Sequence, residues 1–264
     1  MTMASGNLSK MKTTLADQIH YVLGLSEDIQ MNDLIGHDVR LEWSGIINCT
    51  KCKKVTKKSF AQGFCYNCFI SAPEASECIL RPELCTGHLG KGRDPEWEEI
   101  HHNQPHVVYL AASSAVKVGI TRADQIPTRW IDQGASSAIR LAEVANRYES
   151  GKMEVILKEF FTDKTNWRRM LKNEVDTTID LVEEKWSLEE QLPADIVAGF
   201  SENDEIIELN YPVLKYPLEL KSVTFDKEPV ITGKLTGIKG QYLIFESGEV
   251  FNIRRHTGYY VSIR

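Results

Sequence analysis

The sequence predicts an α+β protein. It combines an N-terminal cysteine-rich β-ribbon, a β-β-α-β-α core, a helical segment and a C-terminal small β-barrel. Three observations lead there. All six cysteines fall between residues 49 and 85. From residue 106, apolar runs and helical spacings follow one another in the order β-β-α-β-α. From residue 210 onward, short alternating segments are separated by glycine turns. These changes of texture set expected boundaries at 1–104, 105–209 and 210–264.

The bulk numbers bound the class. A chain of 264 residues is long enough for a buried core and about two domains. Its 42% hydrophobic and 26% charged residues are those of a globular protein. No apolar run approaches the roughly 18–20 residues that cross a bilayer. The opening "MTMASGNLSKMKTTLADQIHYV" lacks an apolar signal core, so a cytoplasmic location with no membrane partner is expected. The net charge of −6 argues against a protein that simply coats DNA. That charge is uneven, however. Residues 174–208 hold twelve acidic residues against Lys185 alone, a local −11 that leaves +5 on the remainder. A basic remainder permits nucleic-acid binding without requiring it.

Residues 1–20 read as a ragged start. "YVLGL" and "DVRLEWSGIIN" have β character, so short strands over 18–48 feed the cysteine block. The block begins with "CTKC" and "CYNC", which supply Cys49, Cys52, Cys65 and Cys68. Each CxxC turn presents two thiolates on one side of a tight knuckle, and two knuckles complete a tetrahedron. This spacing predicts a structural zinc site, because four thiolates leave no open position for water. Lys53, Lys54, Lys57 and Lys58 lie between the knuckles, with Phe60, Phe64 and Tyr66 nearby. Positive charge interleaved with stacking surface suits nucleic acid. It equally suits a hairpin kept soluble by lysines.

Residues 70–104 are rich in proline and glycine and read as loop. "CILRPELCTGH" places Cys78, Cys85 and His88 there, and His101, His102 and His106 follow. Cys85 and His88 have knuckle spacing, and Cys78 with one of the later histidines, His101 the first of them, would complete a candidate second metal site. In the core, "HVVYLAA" and "AVKVGITR" are strands around an "SS" turn. "IPTRWIDQGA" is a helix with Pro127 in its first turn and Gly134 at its end. "SAIRLAEVA" is a third strand, and "GKMEVILKEFF" is a helix with Met153, Ile156, Leu157 and Phe160 on one face. Residues 163–200 continue as helices, with Asp163 or Thr165 expected to cap "NWRRML". The tail then offers four to five short strands, the expected barrel.

The core resembles the GIY-YIG nuclease superfamily over about residues 106–162. "VVY" (Val107, Val108, Tyr109) corresponds to its first motif. "KVG" (Lys117, Val118, Gly119) corresponds to the second, in a divergent Lys-Ile-Gly-Ile-Thr form that "KVGIT" matches closely. Arg129 matches the family's catalytic arginine and Glu154 its metal-binding glutamate. The whole chain looks like an uncharacterised bacterial family that joins a cysteine-rich part to this core.

The resemblance implies metal-dependent phosphodiester hydrolysis of DNA or RNA. Tyr109, Lys117, Arg129 and Glu154 would form the catalytic set, and Glu154 would hold a Mg²⁺ or Mn²⁺ ion. The residue types fit that chemistry. A lone carboxylate suits an ion that keeps most of its waters. A guanidinium fork suits a nonbridging phosphate oxygen. The chain departs from the family at three places. Lys117 replaces the second motif's tyrosine, Gln133 stands where a histidine or tyrosine is common, and Val107 replaces the first glycine. Three functions therefore stay open on the sequence alone: an endonuclease, a nucleic-acid-binding protein without the chemistry, and a zinc-stabilised interaction scaffold.

Overall fold

The computed structural model describes residues 3–162 and 164–264. In chain order the strands are β1 (Ala4–Asn7), β2 (Lys12–Thr14), β3 (His20–Gly24), β4 (Asp28–Gln30), β5 (Asp38–Ile47), β6 (His106–Ala112), β7 (Val116–Arg122), β8 (Ser137–Val144), β9 (Ile206–Glu208), β10 (Lys221–Val223), β11 (Val230–Lys239), β12 (Tyr242–Phe245), β13 (Glu249–Asn252) and β14 (Tyr259–Ile263). The α-helices are α1 (Tyr66–Ser71), α2 (Pro95–His101), α3 (Thr128–Asp132), α4 (Arg147–Leu157), α5 (Trp167–Leu171), α6 (Leu181–Trp186) and α7 (Ala194–Val197). They belong to two units. One joins the chain up to Ser71 with Asn210–Arg264, and the other is Ala72–Leu209.

In the Ala72–Leu209 unit, the elements from β6 to α4 follow the expected order β-β-α-β-α. The strands form a four-stranded antiparallel sheet in the order β7-β6-β8-β9. Every residue of β6 is buried, which explains its unbroken apolar run. The register sets Val108 opposite Ile120 and Leu110 opposite Val118 and Ile139. These residues share a core with Met153 and Leu157 of α4 and Leu181 of α6. Each such side chain taken fully from water contributes about 1.5–3 kcal/mol.

The other face carries Tyr109 opposite Gly119 and Ala111 opposite Lys117. It is covered by α3, whose Trp130 ring lies 5.9 Å from the Tyr109 ring in an edge-on arrangement. Gly134 ends α3 as expected. Its φ is +71°, and a Cβ there would sit 2.5 Å from the Met170 sulfur.

Beyond α4 the structure departs from the expectation of helices alone. After α7 the chain forms β9, which pairs with β8 at Ile139↔Ile206 and Ala138↔Ile207. Three residues are too few to show a period of two in an acidic stretch. The cap of α5 is Asn166, whose Oδ1 accepts the Arg169 N–H at 3.2 Å. Thr165 instead accepts a hydrogen bond from Lys117, and Asp163 lies outside the described residues. Lys185, the acidic segment's lysine, is fully buried and ion-paired with Asp204 at 2.8 Å. It also donates to the Ser201 and Asn203 carbonyls.

In the other unit, the expected C-terminal barrel is not formed. The tail strands join β1 and β5 in one open seven-stranded sheet, ordered β1-β14-β5-β11-β12-β13-β10. β5 is ten residues long and sits between β14 and β11, so the tail does not close on itself. β1 pairs antiparallel with β14, and β10 with β13 in parallel. A small sheet, β2-β3-β4, completes the strands of this unit. The expected three-part division therefore differs from the packing. Residues 210–264 share a sheet with the N-terminal strands, and residues 72–104 pack with the core. No helix among the described residues is long and apolar enough to cross a membrane.

Candidate functional site

Three constellations carry chemistry. The first is the cysteine quartet. The Sγ atoms of Cys49, Cys52, Cys65 and Cys68 lie within 4.8 Å of one another, with Cys52 and Cys65 at 3.8 Å. Local backbone makes this possible. Lys53 takes a left-handed φ of +62° and returns its N–H to the Cys49 carbonyl at 2.9 Å, closing the first knuckle. Cys65 precedes α1, and its carbonyl accepts the Phe69 N–H at 2.9 Å.

Burial raises the Cys49 thiol, but N–H groups of Cys65, Cys52 and Lys51 outweigh it and bring its pKa down to about 6. Burial and the neighbouring Cys65, Cys52 and Cys49 sulfurs push Cys68 up to about 12. Four thiols so close do not all ionise without a cation between them. The four sulfurs could hold a metal ion such as zinc, which would meet that need.

Around the quartet, Lys53, Lys54, Lys57 and Lys58 are all exposed. The Lys58 ammonium lies 5.2 Å from the Phe60 ring centre, and Phe60 stacks on Phe69 at 5.7 Å. Tyr66 is exposed beside them, its ring 5.6 Å from Phe60.

The second constellation corrects the sequence reading. Cys78 and Cys85 do converge, but with Glu98 and His102 rather than His88 and His101. All four are buried, with ligand atoms within 4.8 Å of one another. His102 Nδ1 lies 3.5 Å from the Cys85 sulfur and 3.9 Å from that of Cys78, and it faces the Glu98 carboxylate. Asp94 caps α2 by accepting the Trp97 N–H. Glu98 and His102 then share one helix face four residues apart. His101, one residue earlier, stacks on Trp97 at 4.1 Å and donates Nδ1–H to the Trp97 carbonyl. His88 stacks on Tyr148 at 4.5 Å.

The third constellation lies on the Tyr109 face of the sheet. Tyr109 is fully buried and donates its hydroxyl to Gln133 Oε1 at 3.0 Å. Burial pushes its phenol up, opposed by the adjoining Arg129 guanidinium. The ring lies against Gly119, where a Cβ would stand 2.6 Å from the hydroxyl. Lys117 shares this face and donates to Thr165 Oγ1 at 3.0 Å. Glu154 is largely buried on α4 and pairs with Lys158 at 3.2 Å. Its charge lies near enough to act on both Tyr109 and Arg147. The Arg129 and Glu154 charges thus both act on Tyr109, and Lys117 lies on the tyrosine's face, while the apolar residues Met153 and Leu157 of α4 pack with the opposite face.

Sequence reasoning missed Glu98 and Arg147 and left the choice among the later histidines, His102 included, open. The Glu98–His102 spacing of four on a capped helix is a usable signal for that pair. Arg147 shows no local signal. Its role comes from where α4 begins.

The sequence model of one family, described as "Protein of unknown function (DUF2797)", matches residues 36–261. No curated protein and no solved structure matches the chain.

Proposed function

The chain belongs to this family of unknown function, and from that premise we propose that it is a nucleic-acid-processing protein whose GIY-YIG-like core performs metal-dependent phosphodiester hydrolysis. The observation that carries the reading is that the Arg129 and Glu154 charges both act on Tyr109. Arg129 would hold a nonbridging phosphate oxygen through its fork. Glu154 would exchange Lys158 for a hydrated Mg²⁺ or Mn²⁺, which supplies Lewis-acid polarisation. Tyr109 keeps its proton, because its pKa is raised. It can orient a water or Arg129, but it is a poor base. Lys117 brings a second cation to the same face. The ribbon lysines Lys53, Lys54, Lys57 and Lys58, with exposed Tyr66, supply charge and a stacking surface for single strands.

The test is incubation of the zinc-loaded protein with single-stranded, duplex and branched DNA and with RNA, in Mg²⁺ or Mn²⁺. Cleavage that Glu154→Gln abolishes and Arg129→Ala cuts by about a hundredfold supports the reading. No cleavage of any substrate overturns it.

A second reading is a nucleic-acid-binding or interaction scaffold that keeps the fold without the chemistry. The complete burial of Tyr109 and the commitment of Lys117 to Thr165 favour it. It predicts a salt-dependent affinity that survives Glu154→Gln.

A further inference from the structure

We infer that Cys78, Cys85, Glu98 and His102 form a mixed-ligand zinc site whose occupancy clamps the residue 72–104 segment onto the start of α4. This inference does not rest on hydrolysis. It concerns what holds in place the helix that carries Glu154.

The donor set comes first. Two thiols, an imidazole and a carboxylate converge in a buried place, and two thiolates exclude the hard cations that favour all-oxygen shells. Zinc accepts all three donor types and is satisfied by four ligands. Two features speak against a plain polar cluster. Glu98 Oε2 faces His102 Nδ1 inside the buried cluster, and the same nitrogen also faces the sulfurs of Cys78 and Cys85, so one imidazole N–H cannot satisfy all three. Leaving any of the three unsatisfied in a buried place is costly, and a cation resolves it. A Cys78–Cys85 disulfide would consume both thiolates and leave only the buried Glu98–His102 pair. The backbone is also drawn in around the ligands. A Cβ on Gly92, at φ +149°, would lie 2.6 Å from Glu98 Cγ, and one on Gly87 would lie 3.3 Å from His102 Cβ.

The clamp arises from the backbone oxygens of the ligands. Arg147 is the first residue of α4. Its guanidinium donates to the Cys78 carbonyl from both Nε (3.0 Å) and Nη2 (2.9 Å), and to the Ile79 carbonyl at 3.0 Å. Its own N–H donates to the His102 carbonyl at 2.9 Å. One residue therefore grips the main chain of two ligands that come from separate elements. A turn later, Gly151 packs against the loop between the two cysteines. A Cβ there would stand 2.3 Å from the Glu83 nitrogen. An ion that fixes Cys78 and Cys85 to Glu98 and His102 also fixes the backbone segments that Arg147 and Gly151 of α4 touch.

The experiment reconstitutes reduced, full-length protein with Zn²⁺ and counts bound metal after removal of excess. Two ions per chain are expected. Cys85→Ser combined with His102→Ala should leave one, and Cys52→Ser combined with Cys65→Ser should leave the other. With Co²⁺ in place of zinc, the first pair of changes should remove about a third of the thiolate charge-transfer absorbance, since two of six thiolates serve that site. Amide hydrogen exchange should rise across Arg147–Leu157 in the first variant and stay unchanged there in the second. Glu98→Gln is the gentler probe. It keeps side-chain shape and should weaken the second ion about tenfold with the fold intact by circular dichroism. One ion in the wild type, two in the first variant, or a Cys78–Cys85 disulfide in reduced protein would overturn the site. Unchanged exchange in α4 after loss of that ion would overturn the clamp.

Discussion

Replacing Gly151 by alanine sets two effects of opposite sign against each other. Gly151 lies inside α4, where alanine is favoured over glycine by about 1 kcal/mol. On propensity alone the change stabilises. The added Cβ, however, would stand 2.3 Å from the Glu83 nitrogen and 2.4 Å from the Pro82 carbonyl carbon. Both are main-chain atoms, so no rotamer change relieves the clash, and α4 must move away from the loop. Overpacking of this kind costs about 1–3 kcal/mol, and a clash with backbone belongs at the upper end. The net expectation is a loss of about 2 kcal/mol, or about 5 °C in Tm for a unit of this size. Thermal melting followed by circular dichroism gives the number. Metal titration on the same variant should show the second ion weakened while the first is unchanged, because the displaced loop joins Cys78 to Cys85. A Gly151→Ala protein that melts higher than wild type would refute the packing argument.

Other expectations come from particular side chains. Tyr109→Phe removes the hydroxyl that Gln133 accepts and should cost about 1–2 kcal/mol in urea denaturation, a loss that a fully solvated phenol would not show. Lys185→Met strips donors from Ser201, Asn203 and Asp204, and because Asp204 is part-exposed the cost should be about 2 kcal/mol rather than that of a fully buried pair. His106 is buried, and burial lowers its pKa from 6.5 to about 4. Between those values the unfolded chain binds a proton that the folded chain refuses, so stability should fall as pH drops through this window, by about 1.4 kcal/mol per unit at most. Denaturation midpoints at several pH values should fall less steeply in His106→Gln, and equal slopes would discount the histidine. Changing Lys53, Lys54, Lys57 and Lys58 to glutamine should weaken nucleic-acid binding and flatten its salt dependence, measured by fluorescence anisotropy, by about 0.7 for each phosphate that is no longer neutralised.

What the sequence discloses depends on how local the physics is. The quartet Cys49, Cys52, Cys65 and Cys68 is legible because a knuckle needs only its own few residues. The order from β6 to α4 is legible because those strands and helices carry long apolar patterns. The second cluster is half legible. Its cysteines stand out, but the choice of histidine depends on helical phase. A helix turns about 100° per residue, so His102 and not His101 shares the face of Glu98. The barrel expectation fails for a different reason. Alternation identifies a strand but not its neighbours, and the distant upstream strand β5 supplies the neighbour for both β11 and β14. Arg147 escapes altogether, since its partners are carbonyl oxygens that any residue could offer.

The pairing of β1 with β14 has a consequence for biosynthesis. Ala72–Leu209 lies wholly within the chain, whereas the other unit is assembled from the two segments that flank it. On the ribosome, the inner unit has all its residues while the outer one still lacks five of the seven strands of its main sheet. β5 must wait with both edges unpaired until β11 and then β14 emerge. The cysteine quartet waits with it, because the backbone leading into each knuckle is braced by late residues. Asn48 donates to the Gly258 carbonyl, and Arg254 donates to the Gln62 side chain. Four thiols made early thus reach their finished setting only when the last strand arrives, and the length of that interval is set by the 138 residues translated in between.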